Sequence, residues 1–282
     1  MRLSLVTVFA AVLLCGVAGA SQQQPHYVPR ATLRRRGGLV TVNADNPRPL
    51  WQALSAVREE YGWSVDYEDP RWGGADLRDV SPPAWHAAHP GKSGSMEPAG
   101  GAFQCTYTET PDMWNSPESE LDVLEKIVSD YNASGNPGKF VVRAQSDGSY
   151  AVIGIEGGSE GLAAPAPLLD TSISLTPARR SGLNTLSLIL ASLSAKSGAS
   201  VGIGEIPFNL LFQSTITVGA TNLPARSLLI EFYQALRVKM VWDLWFLPDL
   251  QSYALNLREA ALSIPGAFGG RRLVPISPWP GP

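Results

Sequence analysis

A chain of 282 residues, 44% of them hydrophobic, is long enough to bury one large core or two modest ones. The formal net charge is −3, from 22 basic and 25 acidic residues, and the sequence has no basic cluster beyond Arg34–Arg36. Nucleic-acid binding depends on a basic surface that neutralises phosphates. The composition therefore excludes nucleic acid as the expected partner.

Residues 1–20 have the three-part pattern of a secretory signal peptide. Arg2 supplies the positive charge, an apolar stretch follows, and small residues at 18–20 provide a peptidase site. The alternatives are an uncleaved membrane anchor, since the apolar run of about 18 residues is near the length that spans a bilayer, and a lipoprotein modified at Cys15. Leu13 and Leu14 argue against lipidation because a small residue is usual before the modified cysteine. We expect an exported protein, periplasmic or secreted, without a stable membrane span after cleavage.

Removal of the signal leaves Cys105 as the only cysteine, so no intrachain disulfide is possible. In its strand-like surroundings we expect Cys105 to be a small buried hydrophobe, and pairing with a partner thiol is the alternative. Residues 21–37 are predicted to be a polar leader.

The first α+β unit is predicted over residues 38–156. A helix from Pro49 has apolar residues at helical spacing and ends at Gly62, which is typical of a left-handed C-terminal cap. A second helix is predicted with Ser116 as its N-cap and Pro117 in its first turn. The unit closes with a hairpin whose Asp-Gly turn lies within 146–149.

Residues 69–101 are predicted to be a Pro- and Gly-rich insertion in this unit. It contains His86 and His89, which are the candidates for metal ligands, with Asp76, Asp79 or Glu97 to complete a site. The default expectation is a solvated loop, because prolines on both sides leave little room for a helix. Exposed tryptophans in and near such a loop are candidates for a binding surface. These tryptophans are Trp72, Trp85 and Trp114.

Residues 157–168 are predicted to be a linker, 169–260 a second α+β unit, and 261–282 a Pro- and Gly-rich tail that is extended or disordered. The linker contains a G-x-S-x-G string, but the Ala/Pro stretch after it does not continue as the helix that a hydrolase nucleophile requires. The second unit opens with a helix for which Asn184 offers an N-cap and Gly198 a stop. Leu50 to Gly62 and Leu186 to Gly198 have the same spacing, so the two helices align without a gap.

The elements around these two helices follow one another in the same order, β-α-β-β-α-β-β. We therefore predict an α+β fold made of two tandem units, each a small mixed sheet with two helices packed on it. Acidic residues such as Glu59, Glu60 and the cluster at 66–69 are interpreted as solvated surface, since no cleft is evident around them.

This order of elements resembles the short N-terminal (STN) domain shared by secretins and TonB-dependent receptors. The resemblance is best over residues 171–257 and weaker over 39–155, so the chain reads as two divergent copies of such a domain. The resemblance implies a periplasmic docking module that binds a protein of the envelope.

The leading functional hypothesis is an exported, non-enzymatic protein that binds an envelope protein, with no catalytic residue and no cofactor. One alternative is a hydrolase or metal-dependent enzyme centred on the insertion at 69–101. Another is a small-ligand binding protein that uses the groove between the two units.

Overall fold

A computed structural model describes residues 31–92, 94–111, 116–157, 166–265 and 271–275. These residues form a mixed α+β fold, which confirms the predicted class. The predicted signal peptide lies outside the described residues.

The first half of the chain is residues 31–157, with the insertion between its third and sixth strands. Its elements are β1 (Thr32–Arg36), β2 (Leu39–Ala44), α1 (Pro49–Tyr61), β3 (Val65–Glu68), β4 (Leu77–Asp79), α2 (Pro83–Ala88), β5 (Met96–Pro98), β6 (Phe103–Thr108), α3 (Pro117–Ala133), β7 (Lys139–Ala144) and β8 (Tyr150–Glu156).

The second half is residues 166–260, and a short ribbon follows it. The elements are β9 (Ser172–Ser181), α4 (Gly182–Ser197), β10 (Ser200–Ile203), α5 (Phe208–Gln213), β11 (Thr215–Pro224), α6 (Ala225–Leu236), β12 (Met240–Leu247), β13 (Ser252–Glu259), β14 (Ala261–Pro265) and β15 (Arg271–Pro275).

Local sequence signals place most helix ends correctly. Helix α1 ends at Gly62, which has φ of 74° and donates its N–H to the Arg58 carbonyl. Helix α3 begins after Ser116, whose hydroxyl accepts the Ser119 N–H. The prediction for α4 is wrong by three residues, because Ser181 is the cap and its hydroxyl accepts the Asn184 N–H.

Three segments outside the predicted elements are ordered by pairing with a neighbour. Strand β1, within the segment predicted as a leader, pairs antiparallel with β2. Strands β14 and β15, in the predicted tail, pair with each other, and β14 packs on α1. In the insertion, β4 and β5 form a two-stranded ribbon on either side of α2.

The strands of the two halves pair in the same pattern. In the first half β2 pairs antiparallel with β6, while β8 lies between a parallel β3 and an antiparallel β7. In the second half β9 pairs antiparallel with β11, while β13 lies between a parallel β10 and an antiparallel β12. The first half adds β1 to the outer side of β2.

The two halves share one sheet. This differs from the prediction from the sequence, in which each unit has a sheet of its own. Strand β12 pairs parallel with β3, and this gives a six-stranded sheet in the order β10-β13-β12-β3-β8-β7. Because β12 runs antiparallel to β13, corresponding strands of the two halves run in opposite directions.

Helices cover this sheet on both faces at the junction. On one face Tyr67 stacks on Phe140, which in turn contacts Tyr131 of α3. On the other face Trp242 packs against Tyr233 of α6, with ring centroids 5.8 Å apart. Strand β3 therefore has four buried residues in succession, without the alternation of a surface strand.

A helix side chain closes each outer edge of the six-stranded sheet. The Asn132 amide donates to the Phe140 carbonyl of β7 and accepts its N–H, at 2.8 and 3.0 Å. The Ser194 hydroxyl of α4 accepts the Val201 N–H of β10, at 3.0 Å. These side chains bind backbone N–H and C=O groups to which another strand could otherwise hydrogen-bond. This limits pairing with a second chain.

Replacing Ser194 by alanine tests the closed edge at β10. Ser194→Ala leaves the Val201 N–H without its partner, and we expect a loss of about 1–2 kcal/mol in the free energy of unfolding, measured with urea. Ser187→Ala is the matched control, because the Ser187 hydroxyl bonds only to the carbonyl of Leu183 in its own helix. Equal effects of the two substitutions would contradict a role of Ser194 at the edge.

Candidate functional site

The junction of the halves contains buried carboxylates, the first of which is Asp66 on β3. Its side chain is 1% exposed, and its Oδ1 accepts the backbone N–H of Trp242 at 2.8 Å. Gln145 donates to its Oδ2 at 2.5 Å. Burial raises the pKa of Asp66 well above its ordinary value, and the two hydrogen bonds only partly offset this. The hydrogen bond between the Trp242 N–H and the Asp66 side chain thus adds to the backbone pairing of β3 with β12.

Glu68 forms the second link between the halves. It is 2% exposed and pairs with both terminal nitrogens of Arg226 at the start of α6. Arg226 also reaches Asp170 at 3.0 Å, and Asp170 pairs with Arg143 of β7 at 2.7 Å. Burial raises the pKa of Glu68, although Arg226 acts in the opposite direction. This chain of charges connects β3, α6 and β7.

Asp69 forms the third link, directly after β3. Its Oδ2 accepts the Arg48 Nε–H at 2.8 Å and the Phe246 N–H at 3.0 Å, while the Tyr67 hydroxyl donates to Oδ1. Arg48 also donates to the Phe246 carbonyl and lies 5.0 Å from the Trp245 ring centroid. Asp69 and Arg48 thus bind the backbone of Phe246 and contact the side chain of Trp245 in the second half.

On the face of the sheet that packs against α1, Asp243 of β12 lies between two arginines. Arg58 of α1 pairs with Oδ1 at 3.0 Å, and Arg258 of β13 pairs with Oδ2. Arg258 also lies 5.7 Å from the ring centroid of Trp51. Burial would raise the pKa of Asp243, but the guanidinium groups of Arg258 and Arg58 outweigh it and the pKa lies below its ordinary value. Asp243 is therefore ionised at neutral pH.

A pocket of about 80 Å³ lies beside this cluster and opens to solvent between α1 and the strands of the second half. It lies in the groove between the two units, where the alternative hypothesis predicts binding of a small ligand. Residues of both charges and a tryptophan lie around it, and its surface is mostly apolar. Those that define its chemistry are Ser55, Arg58, Glu59, Trp63, Arg258 and Glu259.

A second exposed feature is a pair of phenylalanines on α5, here called the α5 surface. Phe208 and Phe212 are 53% and 61% exposed, and their rings stack with centroids 5.6 Å apart. Leu211, between them in sequence, is fully buried and anchors the helix. A Cβ atom at Gly182 would lie 3.3 Å from the Leu211 Cα, so the glycine lets α5 approach α4 closely. This pair is not among the residues singled out from the sequence, although its i, i+4 spacing places both rings on one face.

His86 and His89 do not share a metal site in the structure. The Nε2 of His86 is 3.4 Å from a carboxylate oxygen of Asp79, whereas the ring of His89 stacks on Trp85. Asp76 is buried and accepts the Gly73 N–H. Over the described ranges, no group of three histidine, cysteine or acidic side chains has the geometry to hold a metal ion.

The three candidate tryptophans have different positions. Trp72 is predicted to be an exposed surface residue, but it is only 4% exposed, and its ring lies against Gly138 and Phe140. The insertion folds back on the sheet and buries this ring. Trp85 is half-buried on α2, and Trp114 lies outside the described residues.

Cys105 of β6 is buried and is a free thiol. Burial raises its pKa to about 12, so the thiol is protonated at neutral pH and unreactive. This position agrees with the expectation of a small buried hydrophobe.

The interpretation of the acidic residues as solvated surface is wrong for most of them. Asp66, Glu68 and Asp69 are buried because α6 and the α1–α3 layer cover both faces of β3. Glu60 is buried beneath Arg35 of β1, which pairs with it at 2.8 Å. Helix α1 is covered by the second half and by β1, so all of its residues except Glu59 are buried.

Comparisons of the chain with protein-family models, with curated proteins and with solved structures give no match. The resemblance to the short N-terminal domain of secretins and TonB-dependent receptors therefore stays a prediction. Within the part of the chain that the structure describes, no helix is long and apolar enough to cross a membrane.

Because the pKa of Asp66 is raised on folding, the free energy of unfolding should depend on pH, and Asp66→Asn should remove this dependence. The folded-state pKa of Asp66 is above its unfolded value, so the folded state holds the proton more tightly and stability falls as pH rises between the two values. Each pH unit in that window changes the free energy of unfolding by about 1.4 kcal/mol.

We therefore expect Asp66→Asn to gain stability relative to the wild type as pH rises above about 4, the ordinary pKa of an aspartate, measured by urea unfolding at a series of pH values. Asp122→Asn, on the exposed side of α3, is the control and should show no such trend. A constant difference between Asp66→Asn and the wild type at every pH would contradict a neutral Asp66.

Proposed function

We propose that this protein is an exported, non-enzymatic protein of the cell envelope that binds a protein partner on the α5 surface. The observation that carries this proposal is the stacked, exposed pair Phe208 and Phe212. Single apolar side chains at a surface need no explanation, but adjacent aromatic rings on a rigid element are typical of interface anchors.

The α5 surface lies beside one end of strand β9. Helix α5 packs against β9 and α4, and the strand β11 that follows it pairs with the end of β9 at Ser181. The exposed Arg179 lies near that end of β9.

The rigid attachment of α5 adds to this support. Leu211 fixes the helix to the core, so the two rings are presented without a large loss of side-chain freedom on binding. The closed edges at Asn132 and Ser194 disfavour partner binding by strand addition to the six-stranded sheet, which leaves side-chain docking as the favoured mode.

The enzymatic alternative centred on the insertion has less support. The imidazole groups of His86 and His89 engage different neighbours, and His86 is exposed on a helix of six residues. A hydrolytic metal site would need these side chains and a carboxylate to converge on one point.

Site-specific photocrosslinking in the native host tests the proposal. A photoreactive phenylalanine analogue at position 208 or 212 of the full chain should give one dominant cross-linked protein in the envelope fraction. Phe208→Ser/Phe212→Ser should reduce recovery of that protein by tenfold or more, roughly as expected for loss of a hot spot. Its unfolding midpoint should stay close to that of the wild type because both rings are exposed.

The same analogue at Leu39 and Leu250 provides the controls, since both side chains are exposed apolar residues away from α5. Equal adducts at these positions, or no adduct at 208 and 212 in folded exported protein, would contradict the proposal.

A further inference from the structure

The two outer strands of the six-stranded sheet, β7 and β10, correspond to the two strands that join the halves in its middle. Val65 of β3 pairs in parallel with Tyr150 of β8, and Val201 of β10 pairs in the same way with Tyr253 of β13. On its other side, each of these tyrosines pairs with an antiparallel strand, which is β7 in the first half and β12 in the second. Strand β10 therefore corresponds to β3, and β7 corresponds to β12.

The pairing registers extend this correspondence to single residues. Asp66 and Gly202 follow directly after the two valines, so Gly202 occupies on β10 the position that Asp66 occupies on β3. Phe140 and Trp242 each lie four positions before the residue that pairs with the tyrosine, so Phe140 occupies on β7 the position of Trp242 on β12. The free edges of the sheet thus carry, one at each end, the two sides of the junction between the halves.

The backbone N–H at the corresponding position is bonded in both strands, but to different partners. At the junction the Trp242 N–H donates to Oδ1 of Asp66 at 2.8 Å. At the free edge the Phe140 N–H donates to Oδ1 of Asn132, on helix α3 of its own half, at 3.0 Å. A second copy that approached β7 in the register of the junction would find this N–H already bonded. It would also bring Gly202, which has no carboxylate to take the place of Asn132.

The part of β10 that corresponds to the junction is residues 203 and 204, because β3 pairs with β12 at residues 67 and 68. Ser194 closes β10 at Val201, outside this part. Ile203 within it is apolar and 38% exposed. A β7 strand in the register of the junction would bring Val141 opposite Ile203 and cover it, which the hydrophobic effect favours. The block that opposes pairing in this register therefore lies on β7.

We propose that Asn132 is a built-in stop against self-assembly. Its side chain binds the backbone groups of Phe140 through which β7 would pair with β10 of a second copy, and so keeps the protein monomeric. The contact that it prevents would join two different surfaces, so it would not close on itself and would continue from copy to copy. This inference goes beyond the α5 surface, since it concerns the sheet edges and includes no residue of α5.

Sedimentation velocity of the full chain, over a range of protein concentrations, tests this proposal with Asn132→Ala/Gly202→Asp. The double variant frees the Phe140 N–H and supplies the carboxylate that binds the corresponding N–H at the junction. A Cβ atom at Gly202 would lie 3.9 Å from its nearest neighbour, the Tyr253 carbonyl oxygen, so β10 has room for the new side chain. We expect the weight-average mass of the variant to rise about twofold or more with concentration and to continue beyond the dimer, while the wild type stays monomeric.

Asn132→Asp/Gly202→Asp is the matched control. An ionised aspartate at position 132 cannot donate to the Phe140 carbonyl, but it still accepts the Phe140 N–H, so we expect a monomer. Adding Ile203→Lys to the associating variant should also give a monomer, because it places a charge in the contact. Asn132→Leu/Gly202→Asp removes the same hydrogen bonds while it retains a larger side chain, and it replaces the alanine variant if that variant does not fold.

A folded double variant that stays monomeric at every concentration would overturn the proposal. Equal association of the wild type, of the aspartate control or of the Ile203→Lys variant would also overturn it, because assembly would then not depend on the Phe140 N–H or on β10. Photocrosslinking at positions 208 and 212 reports on a different surface, so failure of the two proposals is distinguishable.

Discussion

The parallel pairing of β3 with β12 is the contact on which the rest of the structure depends. It joins strands from opposite halves of the chain and places β3 in the interior of a six-stranded sheet. The three acidic side chains at positions 66, 68 and 69 are then all buried, and each bonds to the second half. Because unpaired buried charges are costly, these contacts restrict the halves to one relative position.

This arrangement determines where the molecule can bind other molecules. The second half covers α1, so the helix that a separate unit would expose becomes interior. The two edges of the six-stranded sheet are occupied by Asn132 and Ser194. The exposed rings on α5 and the pocket where α1 meets β13 stay accessible. The exposed rings are the basis of the proposed protein-binding surface.

Local features of the structure follow from the sequence, and long-range ones do not. The ends of α1 and α3 and the Asp-Gly turn depend on residues close in sequence, so Gly62, Ser116 and Gly148 predict them. The burial of Asp66 and Glu68 depends on a strand that lies more than 170 residues away, and no periodicity indicates it. The stacked phenylalanines on α5 follow a visible spacing, but their exposure is a tertiary property.

Native-state hydrogen exchange in the wild type and in Arg226→Gln tests the central claim that the junction makes the halves one cooperative unit. The substitution leaves Glu68 buried without its partner, which costs about 3–5 kcal/mol, and Arg179→Gln is an exposed control. If the halves form one cooperative unit, protection of the Val152 amide in the first half and of the Leu255 amide in the second falls by the same factor. A loss confined to Leu255, with Val152 protected as in the wild type, would show that the halves unfold independently and would contradict the account.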